Sequence, residues 1–248
     1  MNNKLYGAIA IAMAGWHFSA EALPYLQLDV PSGTYNTTTE DSVATTKSFT
    51  LRGLIDPSKG TPNDDNFRIS IAILNTNFDV NNTGFDFGSF DFGGITYSKF
   101  TSGIQWGTPP TEIADTPQNN GDQISPHGIF KTSYFEVAVG LIVGNTVSAY
   151  NAQTNATESG SLYYIDRLVN TTNLQANYYL HFDFYTVGAD YKVVDVAPYS
   201  HDATSCVSGS TSCGPGTGTS PTIPEPTELA LMGIGFLGMA LARRNSLT

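Results

Sequence analysis

Apolar residues along this chain recur with a period of two. Leu26, Leu28 and Val30 alternate with Gln27 and Asp29, and Phe67, Ile69, Ile71 and Ile73 alternate with Arg68, Ser70 and Ala72. Successive side chains of an extended chain point to opposite faces, so this alternation predicts half-buried strands. Further strands are expected over Ser48 to Leu54, Ile95 to Tyr97, Tyr134 to Val139, Thr146 to Tyr150, Leu162 to Leu168, Tyr178 to Val187 and Tyr191 to Ala197. The stretch from Phe85 to Phe92 carries two short alternating runs around Gly88-Ser89, which reads as a hairpin with a II′ turn; one bulged strand is the alternative. No segment of the body shows an amphipathic helix capped at both ends. The expectation is an all-β fold, a β-sandwich or jelly roll.

The two ends break this pattern. Residues 1–22 hold one basic residue, Lys4, an apolar run from Leu5 to Phe18, and then Ala20-Glu21-Ala22. That is the order of a signal peptide, with small residues where signal peptidase must accept them and cleavage expected after Ala22, or second after Ala20. At the other end Pro224-Glu225-Pro226 precedes an apolar helix from Leu229 to Ala242 and then Arg243-Arg244. Proline disfavours helix in the residue before it, so the strip is held extended and accessible beside a membrane-compatible helix. By the positive-inside rule the two arginines stay in the cytoplasm and the body lies outside the inner membrane.

The Pro-Glu-Pro strip, short apolar helix and basic end together resemble the PEP-CTERM sorting signal over Ile223 to Arg244. Such tails are sometimes labelled an ice-binding protein C-terminal domain, a label that carries no evidence of ice binding. The resemblance implies a substrate of an exosortase, an integral-membrane transpeptidase-like enzyme acting near the motif, in a Gram-negative bacterium that makes exopolysaccharide. Carried over, Pro224, Glu225 and Pro226 are the recognition residues, and Arg243 and Arg244 fix orientation. Ile223 stands where Val is commoner, and four residues follow Arg244. The expected partners are signal peptidase, exosortase and possible exopolysaccharide, with transient residence in the inner membrane.

The expected organisation is a signal peptide over 1–22, a β-sandwich body over 23–204, a Ser/Thr/Gly/Pro-rich linker over 205–222 and the sorting signal over 223–248 with its membrane helix at 229–242. Pieces of the body, among them WGTPP at Trp106 to Pro110, HFDFY at His181 to Tyr185 and SHDA at Ser200 to Ala203, are similar to the choice-of-anchor N family. That likeness implies an exported body joined to a surface-sorting tail and no particular activity.

Charge narrows the partners. Charged residues make up only 13% of the chain, low for a cytosolic domain, and the net charge is −11. An acidic chain without a Lys/Arg run repels phosphate backbones, so nucleic acid is excluded as a partner. Cys206 and Cys213 are too poor in neighbouring ligands for a zinc site, and in an exported chain a local disulfide between them is the simpler reading, pinning a small loop.

Candidate chemistry is sparse. His181 and Asp183 lie two apart in a strand, on the face carrying Tyr179 and Tyr185 and away from Leu180, Phe182 and Phe184. A metal or acid/base pair is conceivable there, and a hydrogen-bonded polar face is the plainer alternative. His201-Asp202 and His127 read as capping or turn residues. Trp106 and tyrosines such as Tyr163, Tyr164, Tyr178 and Tyr179 offer rings for stacking on sugars, against the ordinary role of strand aromatics as core. Asp79 to Gly84 imitates an EF-hand opening but has Phe90 where the last ligand belongs, and Asn63 to Asn66 reads as a turn. Gly233 to Gly238 fits a dinucleotide fingerprint only by accident, because a Pro-rich linker precedes it and no second strand follows. No nucleophile motif occurs. The sequence therefore calls for no cofactor, no metal and no catalytic residue: a non-catalytic surface protein, with a carbohydrate- or calcium-binding module as the alternative and a hydrolase as the third reading.

Overall fold

The computed structural model describes residues 23–59, 66–76, 86–107, 109, 132–140, 144–188 and 193–210. The signal segment, the sorting tail, His127, Asp79 to Gly84 and Asn63 to Asp65 lie outside these residues, while Asn66 opens a strand. The described residues form strands β1 (Leu26–Asp29), β2 (Thr34–Asn36), β3 (Asp41–Val43), β4 (Ser48–Ile55), β5 (Asn66–Asn75), β6 (Ser89–Phe92), β7 (Ile95–Ser98), β8 (Gln105–Gly107), β9 (Thr132–Ala138), β10 (Thr146–Tyr150), β11 (Thr157–Asn170), β12 (Tyr178–Val187), β13 (Val193–Val196) and β14 (Asp202–Thr204), with one 3-10 turn at Tyr199–His201. The described residues are all-β, as the alternating pattern requires. Among the described residues no helix is long and apolar enough to cross a membrane.

The strands make two sheets. One runs β1-β4-β11-β6-β7 with β10 also on β11, and the other runs β2-β3-β14-β12-β5-β9-β8 with β13 also on β12. All strand pairs are antiparallel except β14 with β3. The alternation in the sequence sets which face each strand turns inward. Phe67, Ile69, Ile71 and Ile73 of β5 and Leu180, Phe182 and Phe184 of β12 meet Leu26, Leu28, Leu51, Phe92 and Val169 of the other sheet in one core. Burying each of these side chains stabilises the fold by roughly 1.5–3 kcal/mol. Gly53 of β4 belongs to the same contact: a Cβ there would lie 3.1 Å from Phe184 Cζ and 3.2 Å from Ile165 Cγ2, so glycine admits the phenylalanine ring.

Three expectations need correction. Strands β1 and β5 are buried on both faces rather than half-buried: Ser70 and Ala72 of β5 are covered, Ala72 packing with Leu74 and Tyr179, and Gln27 and Asp29 of β1 lie under the β10 end, where Tyr150 Oη donates to Asp29 Oδ2 at 2.6 Å and Ala152 N donates to Gln27 Oε1 at 2.9 Å. The hairpin turn falls at Gly93-Gly94, both with positive φ as a I′ turn demands, while Gly88 bridges Leu174 and Ser89 begins β6. Residues 205–210, read as the opening of a linker, pack on the body. Leu180 N donates to Ser205 Oγ at 2.8 Å, Ser208 N donates to Tyr178 O at 2.7 Å, and Ser208 Oγ donates to Leu174 O at 2.7 Å. Serines satisfy the edge of β12 here because their short hydroxyls reach main-chain groups that an apolar residue would leave unpaired.

Candidate functional site

The outer face of β12 is where polar chemistry collects. Its even-odd alternation sends Leu180, Phe182 and Phe184 into the shared core and Tyr179, His181, Asp183 and Tyr185 to the opposite face, as the sequence implied. That face is not open to water: Tyr179, Asp183 and Tyr185 are all buried, and the facing Ser70 of β5 is too.

The short strand β14 adds the residue that completes a cluster. It pairs with β12 through His181↔Thr204 and Phe182↔Ala203, and with β3 through Asp202↔Asp41. Asp202, 1% exposed, thereby joins the pair that the sequence singled out. His181 Nε2 lies 3.4 Å from Asp183 Oδ1 and 3.8 Å from Asp202 Oδ2. One ligand atom from each of the three residues lies within 4.8 Å of the others. Sequence reasoning assigned Asp202 to capping because a three-residue strand leaves no periodic trace; the His201-Asp202 dipeptide was visible, but its register against β12 was not.

The other imidazole nitrogen is tied down. His181 Nδ1 lies 3.2 Å from Thr204 Oγ1, Thr204 Oγ1 donates in a short hydrogen bond to Asp41 Oδ2, and Thr39 Oγ1 donates to Asp41 Oδ1. The single Thr204 proton is committed to Asp41, so Nδ1 carries the hydrogen of the His181–Thr204 bond.

The electrostatics follow from crowding three carboxyl groups into little solvent. Burial, then the charges of Asp183 and Asp41, push Asp202 well above the ordinary aspartate range. Burial draws His181 down, but the Asp183 charge, its hydrogen bond and the Asp41 charge outweigh this and leave it raised. His201, buried beside the cluster in sequence, is pushed down to about 4 by burial, and its Nδ1 is 2.9 Å from Ser200 Oγ.

The other candidate residues lie apart from this cluster. Trp106 sits on the edge strand β8, 38% exposed, with β5 and β9 between it and β12. Three strand spacings put it about 14 Å from the line of His181 and Asp183, so no shared ligand contact forms. Tyr178 and Tyr179 are buried and offer no stacking face, and Tyr164 is covered by the Arg52 guanidinium at 4.6 Å from its ring centroid. Cys206 is buried and disulfide-bonded. Cys213, the other cysteine of the chain, lies outside the described residues, as do Pro224, Glu225, Pro226, Arg243 and Arg244.

No protein-family model matches the chain, and comparison with curated proteins finds no match.

Proposed function

We propose that this chain is an exported surface or matrix protein of a Gram-negative bacterium, with a non-catalytic body delivered by its PEP-CTERM tail. The observation that carries the reading is the order at the chain end: Pro224-Glu225-Pro226, then the apolar run Leu229 to Ala242, then Arg243-Arg244. A signal peptide over residues 1–22 supports the same direction of export, and the 13% charged content suits an extracellular β-protein. We read the two-sheet body as a β-sandwich or jelly roll of the choice-of-anchor N type, with signal peptidase and exosortase as its processing partners. Residues 205–210 are bonded to the body, and we place the linker to the sorting signal after them.

A second reading, a cation-binding module, is favoured over a hydrolase by the burial of Asp183 and Asp202 at 3% and 1% exposure. Carboxylates that deep cannot meet a polymeric substrate.

The sorting reading is tested by replacing Pro224, Glu225 and Pro226 with alanine and expressing parent and variant in an exosortase-bearing host. Mass spectrometry of the mature C-terminus should find the parent trimmed and the variant intact at its tail, both exported. Trimming and release of the variant like the parent overturns the recognition role.

A further inference from the structure

We propose that the end of the body from which the tail leaves is a lipid-docking surface. Phe100 is its apolar anchor, Lys47 and Lys99 are its headgroup contacts, and its ligand is the phospholipid bilayer that holds the uncut tail. The inference rests on the proposed reading of residues 223–248 as a membrane-held sorting tail.

The argument begins at Phe100. Its side chain is 85% exposed, more than Ile95, Trp106, Leu168 or Val194, the other large apolar residues exposed among the described ones. A braced turn holds it out. Thr101 N donates to Ser98 O at 2.9 Å, Ser98 N donates to Thr101 Oγ1 at 2.8 Å and Phe100 N donates to Ser98 Oγ at 3.3 Å. Lys99 is pinned by Asp86 at 3.2 Å and lies 5.0 Å from the centroid of the Phe100 ring. Single exposed apolar residues are common on proteins, so the weight falls on where this ring stands.

The chain leaves for the tail from the same end. Ser98 pairs with Ser89 across the β6-β7 hairpin, Gly88 bridges Leu174, and Leu174 O accepts from Ser208 Oγ at 2.7 Å. Asn177 N, in the loop before β12, donates to Ser208 O at 2.8 Å. The strap therefore reaches Ser210 on the end that carries Phe100. Residues 211–228 separate Ser210 from Leu229, where the proposed membrane helix begins, and a segment of that length spans at most about 65 Å. One aromatic ring does not hold a free protein on lipid, because stable attachment takes two signals. With the tail in the bilayer the contact becomes intramolecular, at an effective concentration on the order of millimolar.

Charge points the same way. The chain carries a net charge of −11, so most of its surface is repelled by anionic headgroups. Thr171 N donates to Lys47 O at 2.8 Å, which brings exposed Lys47 to this end beside the loop that leads to Leu174. Among the described residues of the end, in segments 46–48, 86–88, 98–103, 171–177 and 208–210, the charged groups are Lys47, Lys99 and Asp86. An acidic protein thus turns a weakly cationic end toward the side on which its tail enters the membrane, and lysines near an anionic surface are attracted to it.

The test uses the full chain with its tail uncut, purified in mild detergent from the membranes of an exporting host that lacks exosortase. It is reconstituted into vesicles of phosphatidylethanolamine with phosphatidylglycerol as the minor lipid. Phe100→p-benzoylphenylalanine places a photo-crosslinker at the anchor, and Val194→p-benzoylphenylalanine places one at a control position. Val194 is 49% exposed and lies on β13 beside the far end of β12, about 25 Å along the strands from Tyr178. Irradiation should give lipid adducts at position 100 in excess over position 194 by on the order of tenfold, read by mass spectrometry. Adding Lys47→Glu should lower the yield at position 100 about fivefold in these vesicles and leave it unchanged in phosphatidylcholine alone. Flotation of the vesicles reports tail insertion separately. A chain that fails to float overturns the tail reading and this inference with it. A chain that floats but gives equal lipid yields at the two positions, or a yield indifferent to Lys47→Glu, overturns the docking surface alone. Adducts at position 100 to protein and none to lipid, in cells that carry exosortase, overturn it too and mark the end as a protein contact.

Discussion

Arg52 of β4 and Asp166 of β11 stand directly opposite each other in the ladder and join by two parallel hydrogen bonds, Nε to Oδ1 and Nη2 to Oδ2, each 2.8 Å. The guanidinium also lies over the Tyr164 ring at 4.6 Å. The planar fork suits both contacts at once, so lysine is a poor substitute. With side-chain exposures of 21% and 37% the pair is partly screened. A double-mutant cycle of Arg52→Ala and Asp166→Ala should give a coupling of about 0.5–1 kcal/mol in urea unfolding. Zero coupling would show that the fork is incidental.

Asp29 offers a prediction about pH. Burial raises its pKa above the ordinary value of 3.8, while hydrogen bonds from Tyr150 and Ser42 pull the other way without prevailing. A carboxyl whose folded pKa is raised binds its proton more tightly in the folded state. Its favourable contribution is full below the unfolded pKa and is lost as pH rises through the folded one. Asp29→Asn should therefore gain stability relative to the parent as pH climbs from about 4 toward 7. Urea midpoints measured across that range check the slope; a difference that is flat, or falls with pH, contradicts it.

Gly53 and Gly88 should both resist alanine, for different reasons. At Gly53 the new methyl meets the Phe184 ring and Ile165, so the two sheets must part slightly, at a cost of about 1–3 kcal/mol. At Gly88 the φ of +78° is itself unfavourable for alanine, and the added Cβ would lie 2.3 Å from Asn173 O, where only main chain can move. Gly94 has a similar φ and open space around it, so Gly94→Ala isolates the backbone strain. The expected order of loss in thermal melting is Gly88→Ala over Gly94→Ala, the difference measuring the clash.

What the sequence revealed and what it hid divide along physical lines. Strands β5 and β12 are legible, together with the face they turn to the shared core, because large apolar residues from Phe67 to Ile73 alternate with Arg68, Ser70 and Ala72, and those from Leu180 to Phe184 with His181 and Asp183. The short strands β2, β3, β8 and β14 went unread: three residues cannot display a period, and their pairing is decided by distant partners. For the same reason half of the candidate site was legible. His181 and Asp183 share a face by local geometry alone, whereas Asp202 reaches them only through the register of β14 against β12 and β3. Ser and Gly in residues 205–210 have the composition of a linker, yet their hydroxyls and main chain bond to Leu174, Tyr178 and Leu180, contacts that composition cannot reveal.

That strap supplies the last prediction. Ser205 Oγ accepts from Leu180 N at 2.8 Å, and Ser208 Oγ donates to Leu174 O at 2.7 Å, with both serines buried. Main-chain bonds run alongside, Ser205 N to Leu180 O at 2.8 Å and Asn177 N to Ser208 O at 2.8 Å. Alanine at either serine removes the side-chain bond and leaves a buried main-chain group unpaired, which costs about 1–3 kcal/mol. A free linker would show no change at all. Ser205→Ala and Ser208→Ala are therefore each expected to lower the urea midpoint of unfolding, and to speed hydrogen exchange at the Leu180 amide in the Ser205 variant. Ser210→Ala, at the end of the strap and at a half-buried position, should change the midpoint less than Ser208→Ala. Parent-like stability and exchange in the Ser205 and Ser208 variants would return these residues to the linker and end the folded body at Thr204.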